Sequence, residues 1–266
     1  MKFMKIAAAI GLAAAALATV STTAFAQTVD EIIARGKLIV AIDTTTPPYA
    51  FLDADLKPTG FDIEVANKMG EALGVPVEFV TVTSPGRIPS LLTKQVDMVV
   101  SIFSITPARA IQIDYSIPYA GQSAVVIAPK STEIKSHADL VGKKVGLTRG
   151  AAEDAILTAA AAANPGIEIL RFDDYPSLMQ AMLSGQIDVM GGGDYGEIYL
   201  KKSAGGDDFE QKYPLKTFFF GIGFNKEADD LRQWVNTWLM IQKADGVLDA
   251  LSMKYRNQPL PALPVF

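Results

Sequence analysis

The 266-residue sequence predicts an α/β protein of two similarly built lobes, each a central sheet flanked by helices. Three observations carry that reading. Short β-branched runs, Leu38 to Ile42, Val77 to Val82 and Val96 to Val100, have the length of buried strands and alternate with segments of helical periodicity. Two joints recur in the same order: Gly36-Lys37-Leu38-Ile39-Val40 has a counterpart in Gly142-Lys143-Lys144-Val145-Gly146, and Gln95-Val96-Asp97 is echoed by Gln186-Ile187-Asp188. Strands of both halves end in small or polar residues, at Asp43, Ser101, Thr148-Arg149-Gly150 and Gly191 to Asp194. Open α/β sheets bind ligands in the crevice at those carboxyl ends.

Residues 1–26 read as a secretory signal peptide. Lys2 and Lys5 precede an apolar stretch from Ile6 to Val20, followed by the small-x-small site Ala24-Phe25-Ala26. That stretch stops short of the ~20 apolar residues a membrane span needs. Val29 to Arg35 then reads as a short helix closed by Gly36, and the strand from Leu38 runs into the loop at Asp43. Asp62 reads as the cap of a helix with Val65, Met69, Ala72 and Leu73 on one face and Gly74 as its stop. The strand at Val77 and a short helix from Ile88 to Thr93 lead to the strand at Val96. Thr106-Pro107 starts a further helix, Thr as N-cap and Pro at the first helical position, which puts Arg109 in its first turn. A cation there opposes the helix dipole, so a nearby anion or a local acidic partner is expected.

The strand Ser123 to Ala128 leaves the first lobe. Helices from Glu153 to Ala163, ended by Asn164-Pro165-Gly166, and from Pro176 to Ser184 belong to the second. Lys216 to Phe224, aromatic and punctuated by glycine, reads as the return crossing. In the helix from Asp229 to Ile241, Trp234 and Trp238 stand one turn apart on a face completed by Leu231, Val235 and Leu239, which makes them core residues rather than a ligand platform. A last helix, 247–255, packs back on the first lobe.

Composition narrows the function. Losing two lysines with the leader takes the formal charge from −5 to −7, which argues against a nucleic-acid partner. The absence of cysteine excludes disulfides, thiol chemistry and a lipid anchor attached through a cysteine. His137 is the only histidine and stands in a polar stretch, so neither histidine catalysis nor a histidine-rich metal centre is expected. No cofactor is expected.

Two motifs stand out: S-I-T-P-A-R with D-Y-S-I-P-Y, between Ser104 and Tyr119, and G-F-D-I-E-V-A-N from Gly60 to Asn67. At this separation they resemble those of the periplasmic amino-acid-binding proteins that serve ABC importers, bacterial solute-binding protein family 3. The resemblance covers essentially the whole mature chain. It implies the type II periplasmic binding protein fold, with lobe 1 from 27–119 and 221–266, lobe 2 from 124–216, and hinge crossings at 120–123 and 217–220. It also implies a monomer in the periplasm that captures a polar amino acid and hands it to ABC permease subunits, with no chemistry of its own.

The same resemblance implies roles residue by residue. Arg109 matches the arginine that clamps the ligand's α-carboxylate with two prongs. Ser104 matches the small hydroxyl residue at the amino-acid head, and Ser101 a position that offers its backbone carbonyl to the ammonium group. Gly150 and Ala151 occupy a helix-entrance turn whose backbone N–H groups add to carboxylate binding, with Ala151 in place of the usual hydroxyl residue. Asp194 is the candidate for the ammonium-binding aspartate. It stands one residue later after Asp188 than the family spacing, across three glycines, and a capping aspartate is the alternative. Asp43 matches the aspartate that ends the first strand. The aromatic usual beside it is missing, Thr46 being the nearest counterpart, and Tyr49 or Phe51 either replaces it or packs. The run Thr83-Ser84-Pro85-Gly86-Arg87-Ile88-Pro89 resembles glutamate/aspartate-binding members, in which Ser84 and Arg87 would contact an acidic side chain. If Arg87 instead faces solvent beside Asp53 or Asp55, a neutral polar ligand follows. The rival reading is an exported cyclohexadienyl or arogenate dehydratase-like enzyme on the same scaffold, for which Glu153 or Asp43 would have to act as general acid.

Overall fold

The computed structural model describes residues 28–264 except 202 and 204, so the expected signal peptide lies outside the described residues. Helix α1 (Val29–Arg35) has the ends its sequence dictates: Thr28 and Glu31 form a reciprocal capping box, and Gly36 closes it in the left-handed conformation, φ 76°. There follow β1 (Leu38–Ile42), the small hairpin β2 (Phe51–Leu52) and β3 (Pro58–Thr59), α2 (Phe61–Leu73), β4 (Val77–Thr81), α3 (Arg87–Leu92), β5 (Met98–Val99), α4 (Pro107–Ala110) and β6 (Asp114–Tyr115). The chain then builds β7 (Ala120–Pro129), β8 (Lys144–Thr148), α5 (Ala152–Ala163), β9 (Glu168–Phe172), α6 (Tyr175–Leu183), β10 (Val189–Gly193), α7 (Tyr195–Leu200) and β11 (Phe209–Phe220). It returns through β12 (Gly223–Phe224) and ends in α8 (Asp229–Ala244) and α9 (Val247–Arg256).

Two five-stranded sheets result, ordered β4-β1-β5-β12-β6 and β11-β7-β10-β8-β9. Each has the same parallel heart. In lobe 1, β1 lies between β4 and β5; in lobe 2, β8 lies between β9 and β10. Each heart is continued by an antiparallel strand, β12 on β5 and β7 on β10. The repeated helix-to-strand joints of the sequence therefore mark two copies of one topology. β7 and β11 pair antiparallel along their length, from Ala120 opposite Phe220 to Pro129 opposite Phe209, and carry the chain between the sheets.

Four expectations are corrected. Asp62 does not cap α2; Gly60 does, with φ 128°, because a Cβ there would lie 2.3 Å from the carbonyl oxygen of Tyr49. Asp62 is left inside the first turn and fully buried. The strand at Val96 shrinks to Met98–Val99, since the Asp97 carboxylate takes the Ile39 N–H at 2.8 Å and pairs with Arg35. The return crossing starts earlier, at Phe209, and breaks after Phe220, so that β12 joins the other sheet. Ser123 to Ala128 lies inside β7, which already begins at Ala120 and pairs with β10 and β11 of lobe 2. The two tryptophans pack as expected: Trp238 is buried and Trp234 lies against the same core. Among the described residues there is no cluster of metal-ligating side chains and no helix long and apolar enough to cross a membrane.

Candidate functional site

The carboxyl ends of β1 and β5 meet through their loops, where the Asp43 N–H donates to the Ser101 hydroxyl at 3.1 Å. The Asp43 carboxylate is held in turn by the backbone N–H and hydroxyl of Thr45. After β5 the chain must turn sharply, and Ile102 adopts φ 37°, which a β-branched residue does only under constraint. The constraint is Asp62: its carboxylate accepts the Ile102 N–H and the Tyr119 hydroxyl, both at 2.8 Å. Burial raises the Asp62 carboxyl to about 7, partly offset by those two hydrogen bonds. The G-F-D motif thus supports the loop that the S-I-T-P-A-R motif forms.

Two arginines flank this loop, Arg87 at the start of α3 and Arg109 on α4, their guanidinium carbons 4.9 and 5.0 Å from the centre of the Phe103 ring. Arg87 is buried and donates to the carbonyl oxygens of Ser84 at 3.0 Å and Ser101 at 2.9 Å. It does not face solvent beside Asp53 or Asp55. Burial, and then the neighbouring Arg109, lower its pKa to about 10. Arg109 is half-buried on α4, where Thr106 caps the backbone as expected but the helix is only four residues long. Its guanidinium donates at 2.8 Å to Ser104 O in its own lobe and at 2.8 Å to Gly150 O across the cleft.

A cavity lies between the lobes at this point. Lobe 1 lines it with Asp43, Thr46, Ser84, Arg87, Ile102, Ser104 and Arg109; lobe 2 with Gln122, Thr148, Ala151, Ala152, Glu153, Tyr175, Gly191–Gly193 and Tyr195. Six residues proposed from the sequence to bind ligand therefore line one cavity, Asp43, Ser84, Arg87, Ser104 and Arg109 from lobe 1 and Ala151 from lobe 2. Four others lie elsewhere. Tyr49 is core, edge-on to Phe61, Tyr195 and Phe220, with the Arg256 guanidinium over its ring. Ser101 sits behind the wall with its carbonyl taken by Arg87, and Gly150 offers its carbonyl to Arg109. Asp194 precedes α7 without capping it through its side chain; one carboxylate oxygen accepts the Ser123 N–H at 3.2 Å and the other is buried without a partner. The expected backbone donors of the helix entrance are engaged within lobe 2, Gly150 N–H with Asp154 and Ala151 N–H with Thr148 O.

Sequence reasoning passed over Gln122 and Tyr175, and weighed Glu153 only as an enzyme's acid. All three are buried on the cavity wall. Burial raises the Glu153 carboxyl, an effect countered by backbone N–H groups at the start of α5 and by Arg109 and Arg87. The available signal was an acid at the entrance of a helix, three residues after Gly150.

Two α/β lobes facing each other across a polar cleft, joined by a pair of extended crossings, define a binding protein that closes around its solute. The chain belongs to the bacterial extracellular solute-binding proteins, family 3, which it matches over residues 38–258. It is 30% identical, over 92% of each chain, to an L-cystine-binding protein of Escherichia coli K12. Among solved structures it resembles a mutant of the arginine-binding protein ArgBP from T. maritima, with TM-score 0.80, 30% identity and 86% and 99% of the two chains covered. It also resembles the ancestral amino acid-binding protein AncCDT-1, a precursor of cyclohexadienyl dehydratase, with TM-score 0.78, 33% identity and coverage of 85% and 98%.

Proposed function

We propose that this protein captures a free amino acid of zero net charge in the periplasm and delivers it to the permease of an ABC importer, acting as a monomer. The observation that carries the reading is the balance of ionisable groups on the cavity wall: two basic side chains, Arg87 and Arg109, and two carboxyl groups, Asp43 and Glu153. A zwitterion enters such a wall without leaving a buried charge unpaired, whereas a net charge would carry a desolvation cost. Arg109 supplies the carboxylate clamp by exchanging its Gly150 contact for the ligand. An acidic side chain is not favoured, because Arg87 already gives two donors to Ser84 O and Ser101 O. The relatives named above are described as binding cystine and arginine, not an acidic amino acid. A thermal-shift screen of the purified exported protein against the common amino acids and cystine tests this: neutral polar members should raise the melting temperature, and a response confined to glutamate and aspartate, or to arginine and lysine, would refute it.

One observation favours a second reading. Glu153 is a buried cleft carboxyl held above its usual range, the property of a general acid, and one structural neighbour is a precursor of a dehydratase. Formation of phenylpyruvate from prephenate by the purified protein would establish that activity; the binding reading expects none.

A further inference from the structure

An amino acid held by its carboxylate at Arg109 presents an ammonium group that needs acceptors. Asp194 is not on the cavity wall, and one of its oxygens holds Ser123 N–H. Besides Thr148 and Tyr195, three oxygen-bearing side chains of lobe 2 line the cavity, each from a different element: Gln122 on β7, Glu153 on α5 and Tyr175 on α6. All are more than nine-tenths buried, and the Gln122 carbonyl oxygen and Tyr175 hydroxyl have no partner. Buried acceptors left unpaired are costly, and a primary ammonium with three N–H donors satisfies three oxygens at once. Gly193 belongs to the same arrangement. A Cβ there would lie 2.4 Å from the Tyr195 ring and 2.5 Å from the Gln122 amide nitrogen, so any side chain at 193 would displace Gln122 or Tyr195.

Resting on the amino-acid-binding reading, we infer that Glu153, Gln122 and Tyr175 form the lobe 2 receptor for the ligand's α-ammonium group, with Glu153 as its counter-charge. Asp194 then serves the hinge side of the lobe by holding the start of β7.

The test is calorimetric titration of wild type, Glu153→Gln, Tyr175→Phe and Asp194→Asn with L-glutamine, L-histidine and L-cystine. The α-desamino analogues glutaramic acid and imidazolepropionic acid are measured alongside by competition, and circular dichroism checks each fold. In Glu153→Gln, affinity for the amino acid that wild type binds should fall by at least about tenfold, while affinity for the analogue changes little. Tyr175→Phe should give a smaller loss, again confined to the amine-bearing ligand. Equal losses for amino acid and analogue in Glu153→Gln, or an amine-specific loss appearing in Asp194→Asn instead, overturns the assignment while leaving the binding function intact. Failure of the wild type to bind any amino acid overturns both.

Discussion

At the scale of single residues, the site depends on how few groups hold each charge. Arg109 shares its guanidinium between two backbone carbonyls, one per lobe, so under the proposed clamp a ligand carboxylate would displace a neutral acceptor rather than another acid. That exchange is favourable because a charged, planar acceptor makes stronger paired hydrogen bonds than a carbonyl. Arg109→Ala should therefore weaken amino-acid binding by roughly 2–4 kcal/mol, the penalty for leaving a ligand carboxylate buried without its partner. Arg109→Lys should recover only part, since an ammonium cannot reproduce the planar fork. Titration calorimetry on the folded variants reads both outcomes, and an unchanged affinity in Arg109→Ala would remove the clamp from the site.

At the scale of elements, Asp62 links α2 to the loop after β5 and to Tyr119, beside the crossing into lobe 2. Its carboxyl is raised in the folded chain to about 7, so the folded state keeps a proton that the unfolded chain gives up near pH 4. The sign is fixed by that order. The stabilisation from this group is complete below about pH 4, declines as pH rises towards 7 and is flat above. Asn cannot accept from both donors in the same way, so Asp62→Asn should be destabilising, and the advantage of wild type over it should be largest near pH 4 and shrink by pH 7. Chemical denaturation at several pH values measures this; an advantage that grows with pH would mean a stabilised carboxylate instead. The same residue shows what the sequence could and could not reveal. The G-F-D motif was visible, and Asp62 read as a cap because aspartate before a helix caps by default. Only the approach of Gly60 to Tyr49 explains why the carboxylate turns inward. The likeness of the two lobes was legible from the repeated joints, because those joints depend on local pattern. The positions of Gln122 and Tyr175 were not, because they are set by the packing of β7 and α6 against the glycine-rich end of β10.

At the scale of the whole molecule, the lobes touch on both sides of the candidate site. Arg109 reaches Gly150, and the rings of Tyr49 and Tyr195 meet edge to face with centroids 5.5 Å apart. A ligand held by Arg109 from one lobe and by Glu153 from the other makes its full set of contacts only when the lobes are together, and so shifts the population towards closure. Ligand at a hundredfold excess over its dissociation constant should stabilise the folded protein by about 2.7 kcal/mol. For a chain of this size that corresponds to a rise of roughly 5–10 °C in melting temperature. The radius of gyration from small-angle scattering should fall in the same samples. Thermal stabilisation without compaction would mean that one lobe binds the ligand alone, and the shared wall of Arg109 and Glu153 would then not be the site of capture.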